Sequence, residues 1–148
     1  MVGGRLEYNE DKKEWQFRDK SRRVYDIAAT SEGVKKLSIL DLLLGNHYLD
    51  NQSIILIDEV EANLHPSLIS RLLDTILSLA NAGVQFFIAS HSYFVIKRLY
   101  IMAHQKAMSI PVLSFEDGAC QVGDLQQEMP KNPIVDESIN LYMDEISL

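Results

Sequence analysis

The sequence has little cysteine and no long apolar run. Cys120 is the single cysteine, which excludes an internal disulfide and any C-x-x-C zinc or redox motif. No apolar stretch approaches the roughly 20 residues that a membrane-spanning helix needs. Residues 1–15 are polar and charged, unlike a signal peptide. We therefore expect a cytoplasmic protein with no membrane partner.

An excess of basic residues is also missing. The net charge is −7 and the sequence pI is about 5.0, which argues against a generic nucleic-acid coat protein. One local basic run, Arg18 to Arg23, is either the solvated edge of a hairpin or a small cationic patch. The length of 148 residues and the hydrophobic content of 47% predict a single globular domain.

In the first third of the chain, the pattern of apolar residues changes once, from one typical of strands to one typical of a helix. Residues 5–27 predict three short strands, two of them around a polar NEDKK turn. From Ser31 to about His47, apolar residues recur at helical spacing. Thr30 or Ser31 is expected as the N-cap of that helix, and Gly45-Asn46 as its end.

The middle of the chain predicts a strand, a helix and a strand. Residues 53–58 and 84–90 are apolar without alternation, so we expect both strands to be buried on both faces. A helix between them begins at Pro66 and ends at Gly83. Short connections of this kind make the two strands parallel, and ligands bind at the carboxyl edge of such sheets.

The remainder predicts a helix from about Tyr93 to Gln105 and a hairpin of residues 110–115 and 120–125. The tail from Ile134 to Ile146 is expected to be helical, since its apolar residues can share one side.

Three polar residues follow the two central strands. Asp58 and Glu59 follow the first strand and His91 follows the second, so they can face one cleft. An apolar strand that ends in Asp is the Walker B arrangement, in which Asp holds Mg²⁺ beside nucleotide phosphates. A following Glu can polarise the attacking water, and a His can hydrogen-bond the terminal phosphate. The alternatives are a solvated acidic turn and a structural histidine.

The stretch IILIDEVEANLHP resembles the extended Walker B and D-loop of ABC-type ATPase heads, in the branch of SMC-like, RecF-like and OLD-like proteins. That branch has DEPExxLHP and a second strand ending in THS, whereas Val60 and Ser90 replace the Pro and the Thr here. ATSEGVKKL, residues 29–37, lies where the branch has its signature motif. The resemblance spans about residues 29–100.

The resemblance implies roles for individual residues, with ATP and Mg²⁺ as cofactors. Asp58 corresponds to the magnesium ligand, Glu59 to the catalytic base and His91 to the switch histidine. Asn63 falls in the D-loop. Ser31 and Gly33 would contact the γ-phosphate of a nucleotide held by the opposite subunit, because these heads dimerise around ATP; a simple helix cap is the alternative for them.

A P-loop, G-x-x-x-x-G-K-[ST], is missing from the sequence, since none of its seven glycines is followed by lysine. The chain thus resembles the C-terminal half of an ATPase domain, as a truncated gene product or one piece of a longer or split protein. We expect an α/β, parallel-sheet P-loop NTPase-like (ABC ATPase) core without the P-loop half. Within 1–148, residues 1–28 form a β-hairpin edge, 29–105 the core, and 106–148 a hairpin and helix.

Two functions from different classes follow. The first is the ATP-binding and ATP-hydrolysing half of an ABC-like ATPase in DNA repair or phage defence, with the missing Walker A half as partner. With this first function we expect a homo-oligomer. We also expect contact with DNA by the protein that contains both this chain and the Walker A half. The second is a hydrolysis-incompetent remnant that acts as a protein-interaction module. A metal-only hydrolase is a third, weaker alternative, because no second histidine stands at ligand spacing.

Overall fold

The computed structural model describes residues 4–45 and 48–148, in two compact units, Met1–Ala89 and Ser90–Leu148. The division expected from the sequence, at residues 28 and 105, stays a prediction. No helix in the described part of the chain is long and apolar enough to cross a membrane.

The first unit opens with a three-stranded antiparallel sheet, as predicted. Its strands are β1 (Gly4–Asn9), β2 (Glu14–Asp19) and β3 (Val24–Asp26), in the order β1-β2-β3. Phe17 is the buried residue of β2 and anchors the sheet to the core of this unit.

Helix α1 (Glu32–Gly45) follows a short 3₁₀ turn and packs against β1. The Ser31 hydroxyl accepts a hydrogen bond from the Val34 amide, so Ser31 rather than Thr30 is the N-cap. Leu37 and Leu40 bury the inner face of the helix. The expected end at Gly45 agrees with the structure, whereas Asn46 and His47 lie outside the described residues.

The predicted strand–helix–strand unit is present as β4 (Ile54–Ile57), α2 (Pro66–Asn81) and β5 (Gln85–Ile88), with parallel strands. Helix α2 buries a broad apolar face, from Ile69 to Leu77. Gly83 ends the connection with φ of +103°, and a Cβ there would lie 2.8 Å from the Cβ of Asn51. The glycine is required for the turn into β5.

The expectation that both central strands are buried on both faces is wrong. Ile54 and Leu56 of β4 are 59% and 76% exposed, and Phe87 of β5 is 53% exposed. The alternate residues of both strands are half-buried. This sheet has only two described strands, and its second face is left uncovered. We call Ile54, Leu56 and Phe87 the open apolar face.

The second unit contains α3 (Tyr93–Lys106), the hairpin β6 (Pro111–Glu116) and β7 (Ala119–Asp124), and α4 (Pro133–Ile146). All four elements begin and end within two residues of their predicted bounds. Asn132 caps α4 by accepting from the Val135 amide, and it donates to the Ser114 hydroxyl of β6. The side of α4 that carries Ile139 and Tyr142 is exposed rather than packed.

Candidate functional site: the exit of strand β4

Asp58 and Glu59 leave strand β4 at the carboxyl edge of the parallel pair. The Ala89 amide donates to the Ile57 carbonyl at 2.9 Å, so pairing continues to the last residue before the two acids. Both acidic residues are exposed to solvent. Val60, which follows them, is completely buried and fixes the chain immediately after the acids. The carboxylates therefore stand on an anchored segment at the edge where α/β sheets bind ligands.

The segment 58–64 is a turn with two left-handed residues. Glu59 has φ of +46° and Asn63 has φ of +60°. Asn adopts this conformation readily, whereas a Glu there costs on the order of 1–3 kcal/mol and persists only when its surroundings hold it. The Ala62 amide donates to the Glu59 carbonyl at 2.9 Å, and the Leu64 amide to the Glu61 carbonyl at 3.0 Å. Strain is thus concentrated at the residue expected to be the base.

The start of α1 packs directly on this turn. Gly33 is buried, and a Cβ on it would lie 2.4 Å from Leu64 Cδ2 and 3.0 Å from the Asn63 carbonyl oxygen. A side chain at position 33 would have to displace the end of Leu64 and would crowd the Asn63 carbonyl oxygen. The structure therefore brings Gly33 and Asn63 together within one unit; their assignment to a signature motif and a D-loop stays a prediction. Ser31, one residue before α1, is exposed and caps the helix through its hydroxyl.

Sequence reasoning missed Lys36. Its Nζ donates to the Glu59 carbonyl oxygen at 2.8 Å, across 23 residues of sequence. The available signal was its position three residues after Gly33, which places both on one side of the helix. A helix side that approaches the turn through Gly33 also presents Lys36 to it.

Two histidines, His65 and His91, follow the acidic pair in the sequence. His65 is the N-cap of α2, because its ring accepts from the Ser67 amide at 3.3 Å, which agrees with its expected place at the helix entry. His91 lies exposed in the second unit, before α3. Ser90 accepts there from the Ser92 amide at 3.1 Å. A cleft shared by His91 and the two acids stays a prediction.

The acidic pair fits a magnesium ion. Mg²⁺ prefers carboxylate oxygens, keeps several waters and takes the rest of its ligands from nucleotide phosphates, so one or two protein carboxylates suffice. Asp58 and Glu59 are exposed side by side and offer such oxygens. Among the described residues, no group of three or more His, Cys, Asp or Glu side chains could hold a metal ion by itself. The site suits a cation that arrives with a phosphate ligand.

The comparison that decides the family covers this same segment. A model of the AAA domain family, whose description names the AbiEii toxin of a type IV toxin–antitoxin system, matches residues 4–97. The match includes more than half of the chain. The chain belongs to this AAA family. Comparison with curated protein sequences gives no match.

Solved structures show the fold of this AAA-family chain. One, described as concerning ATP-driven dimerization and DNA-stimulated activation of SMC ATPases, is 20% identical, with a TM-score of 0.57, over 99% of this chain and 83% of that one. A SmcHead bound to the C-terminal winged-helix domain of ScpA is 22% identical, with a TM-score of 0.58, over 82% of this chain and 37% of that one.

A third, the Pyrococcus furiosus Smc head with an extended coiled coil, bound to the C-terminal domain of ScpA, is 20% identical, with a TM-score of 0.57, over 99% of this chain and 34% of that one. The chain therefore spans most of the first neighbour but only about a third of the other two. The expected α/β, P-loop NTPase-like fold is confirmed. Family and fold together make this an ATPase-type domain.

Proposed function

We propose that the chain supplies the Walker B, D-loop, signature and switch-histidine elements of an ATP-hydrolysing head. A P-loop from another segment or another chain supplies the rest. We call the polypeptide or complex that contains both parts the complete protein. The observation that carries the proposal is the strained turn at Glu59, held against the start of α1 through Gly33 and Lys36. Strain of this kind persists at functional sites.

Each residue has a chemical task in this proposal. Glu59 accepts a proton from the water that attacks the γ-phosphate, and its side chain is exposed to solvent. Asp58 holds Mg²⁺, which would neutralise charge on the phosphates when bound. His91 hydrogen-bonds the γ-phosphate. Ser31, Gly33 and Asn63 contact the nucleotide of the opposite subunit, at a helix start whose amides favour anions.

Nucleotide binding tests the proposal most directly. The P-loop normally supplies most phosphate contacts, so we expect this chain alone to bind Mg-ATP weakly or not at all by calorimetry. The complete protein should bind Mg-ATP. Asp58→Ala should weaken that binding and should change the affinity for ATP without Mg²⁺ only a little. Micromolar binding by the chain alone would mean that the nucleotide site is misplaced. Unchanged Mg-ATP affinity in Asp58→Ala would remove Asp58 from the site.

The open apolar face supports a protein partner. Ile54, Leu56 and Phe87 line one side of a two-stranded sheet whose outer edges are also unpaired in the described structure. Uncovered apolar faces and strand edges mark contact surfaces. The P-loop half is the partner that we propose for it, with self-association when that half is absent. The same face is the specific feature that favours the second function, a hydrolysis-incompetent interaction module.

A groove in the N-terminal sheet supports contact with DNA by the complete protein. Its lining includes Arg5, Arg18, Lys20 and Arg22, against a single acid, Asp19. Arg18 and Arg5 also pair with Glu7 and lower the pKa of that carboxyl, so part of their charge is offset and Lys20 and Arg22 supply most of the remaining positive charge. A cationic groove in a chain of net charge −7 suits a phosphate backbone.

Salt dependence tests the DNA contact. If the groove neutralises two or three phosphates, the slope of log K against log salt should be about −2 to −3 for duplex DNA. Lys20→Gln with Arg22→Gln should reduce that slope by about 2, whereas Lys12→Gln with Lys13→Gln, in the β1–β2 turn, should change it little. An unchanged slope in the groove variant would exclude this surface. DNA repair and phage defence both stay open as the process served.

A further inference from the structure

The carbonyl oxygen of Glu59 receives two hydrogen bonds, and they come from different parts of the fold. The Ala62 amide donates from within the turn at 2.9 Å, and Lys36 Nζ donates from helix α1 at 2.8 Å. A carbonyl oxygen has two lone pairs, so both donors can be accommodated. The bond from Lys36 is charge-assisted and therefore stronger than a neutral one.

Lys36 reaches Glu59 because Gly33 lets the helix approach the turn. The two residues are three positions apart on α1 and lie on the same side. Gly33 brings that side against the Asn63 carbonyl and Leu64. One face of α1 thus contacts the turn at both of its positive-φ residues. Gly33 packs against Asn63, and Lys36 hydrogen-bonds to Glu59.

We propose that Lys36 is a positioning residue for Glu59. It touches the main chain of the proposed base, not the nucleotide, and holds the strained turn in the orientation that aims the carboxylate. Since Ser31 caps the same helix and Gly33 lies in its first turn, a movement of this end of α1 would be transmitted through Lys36 to Glu59 of the same subunit. The inference rests on the proposed function for its catalytic consequence, but its structural part stands alone.

Hydrogen–deuterium exchange on the chain itself tests the structural part. Lys36→Met removes the ammonium and keeps an unbranched helix-forming side chain. We expect exchange of residues 59–64, including the Ala62 amide, to quicken about three- to tenfold, as loss of one exposed charge-assisted bond implies. Lys36→Arg keeps a donor and should restore most of the protection. Lys12→Met, an equal loss of charge in the β1–β2 turn of the first unit, should leave these amides unchanged. Equal exchange in Lys36→Met and the unmodified chain would overturn the proposal.

Steady-state hydrolysis by the complete protein tests the catalytic part. A positioning role predicts that Lys36→Met lowers kcat about tenfold with KM little changed, and that Lys36→Arg recovers much of the loss. A raised KM with unchanged kcat would mean that Lys36 binds nucleotide instead, and would overturn the assignment. A complete protein without ATPase activity would remove the proposed function but leave the exchange result valid, so the two failures are distinguishable.

Discussion

The exits of the two parallel strands differ in their backbone. After β4, the chain enters a turn with two left-handed residues, Glu59 and Asn63, and helix α1 holds that turn from outside. After β5, none of the residues from Ala89 to Ser92 is left-handed, and the chain passes through a bonded Ser90 into α3. The exit of β4 thus has a strained backbone, and the exit of β5 has no left-handed residue.

The difference indicates where precise geometry is required. A left-handed Glu is less stable than a right-handed one, and the fold keeps it only because several contacts support it. His91, which we propose as the hydrogen-bond partner of the phosphate, lies on a segment with no left-handed residue. We therefore expect substitutions at the first exit to have larger effects on hydrolysis than those at the second.

The largest effect is expected for Glu59→Gln in the complete protein. The amide keeps the size of the side chain and loses its basicity, so kcat should fall by about 10²- to 10⁴-fold while ATP binding is preserved. Single-turnover hydrolysis and ATP affinity measure the two quantities. Glu10→Gln, an exposed glutamate in the β1–β2 turn, is the matched control and should leave both unchanged. Turnover at the unmodified rate would show that Glu59 is not the base.

A smaller loss is expected for His91→Ala. The imidazole would contribute one hydrogen bond to the γ-phosphate, so kcat should fall by about 10- to 100-fold. His104→Ala, an exposed histidine on α3, controls for loss of an imidazole in the second unit. A loss as large as that of Glu59→Gln would break the contrast between the exits, and no loss would remove His91 from the site.

Self-association should respond to the open apolar face. Leu56 is the most exposed residue of that face, and Leu56→Ser should weaken association of the isolated chain by about tenfold, as removal of one buried leucine contact implies. Leu113→Ser, on the exposed hairpin of the second unit, is a matched control. Light scattering over a concentration series measures both. A monodisperse monomer at high micromolar concentration, with no binding of a dye for apolar surface, would show that the face needs no partner.

Much of the fold could be predicted because local patterns decided it. Pro66 and Gly83 mark the two ends of α2, and the helical spacing of its apolar residues predicts which side of the helix is buried. The sequence limits the N-cap of α1 to Thr30 or Ser31, since a hydroxyl before an apolar-periodic run is a helix cap, and the structure identifies Ser31. The exposure of Leu56 and Phe87 could not be predicted, because the sequence of an apolar strand does not show whether a second layer covers it.

The positions of the site acids were predictable, and their support was not. Asp58 and Glu59 stand at a strand exit in any strand–helix–strand unit that has this pattern. The left-handed backbone of Glu59 and the bond from Lys36 depend on how α1 meets the turn, which is a tertiary contact between segments 23 residues apart. Gly, Asn and Asp are the residue types that signal positive φ in advance, which fits Asn63 but not Glu59.

The smallest expected effect tests the strain itself. Glu59→Gly removes the steric cost of the left-handed conformation, about 1–2 kcal/mol, but adds about 0.5–1 kcal/mol of chain entropy to the unfolded state. The free energy of unfolding of this chain should therefore rise by about 0.5–1 kcal/mol, measured from the urea midpoint at constant slope. Asn63→Gly should give a smaller rise, since Asn already tolerates this conformation. In the complete protein, the same Glu59→Gly change should abolish hydrolysis. A gain in stability with a loss of activity would show that the first exit keeps a destabilised base for its chemistry, whereas a fall in stability would mean that the glutamate side chain makes contacts worth more than its strain.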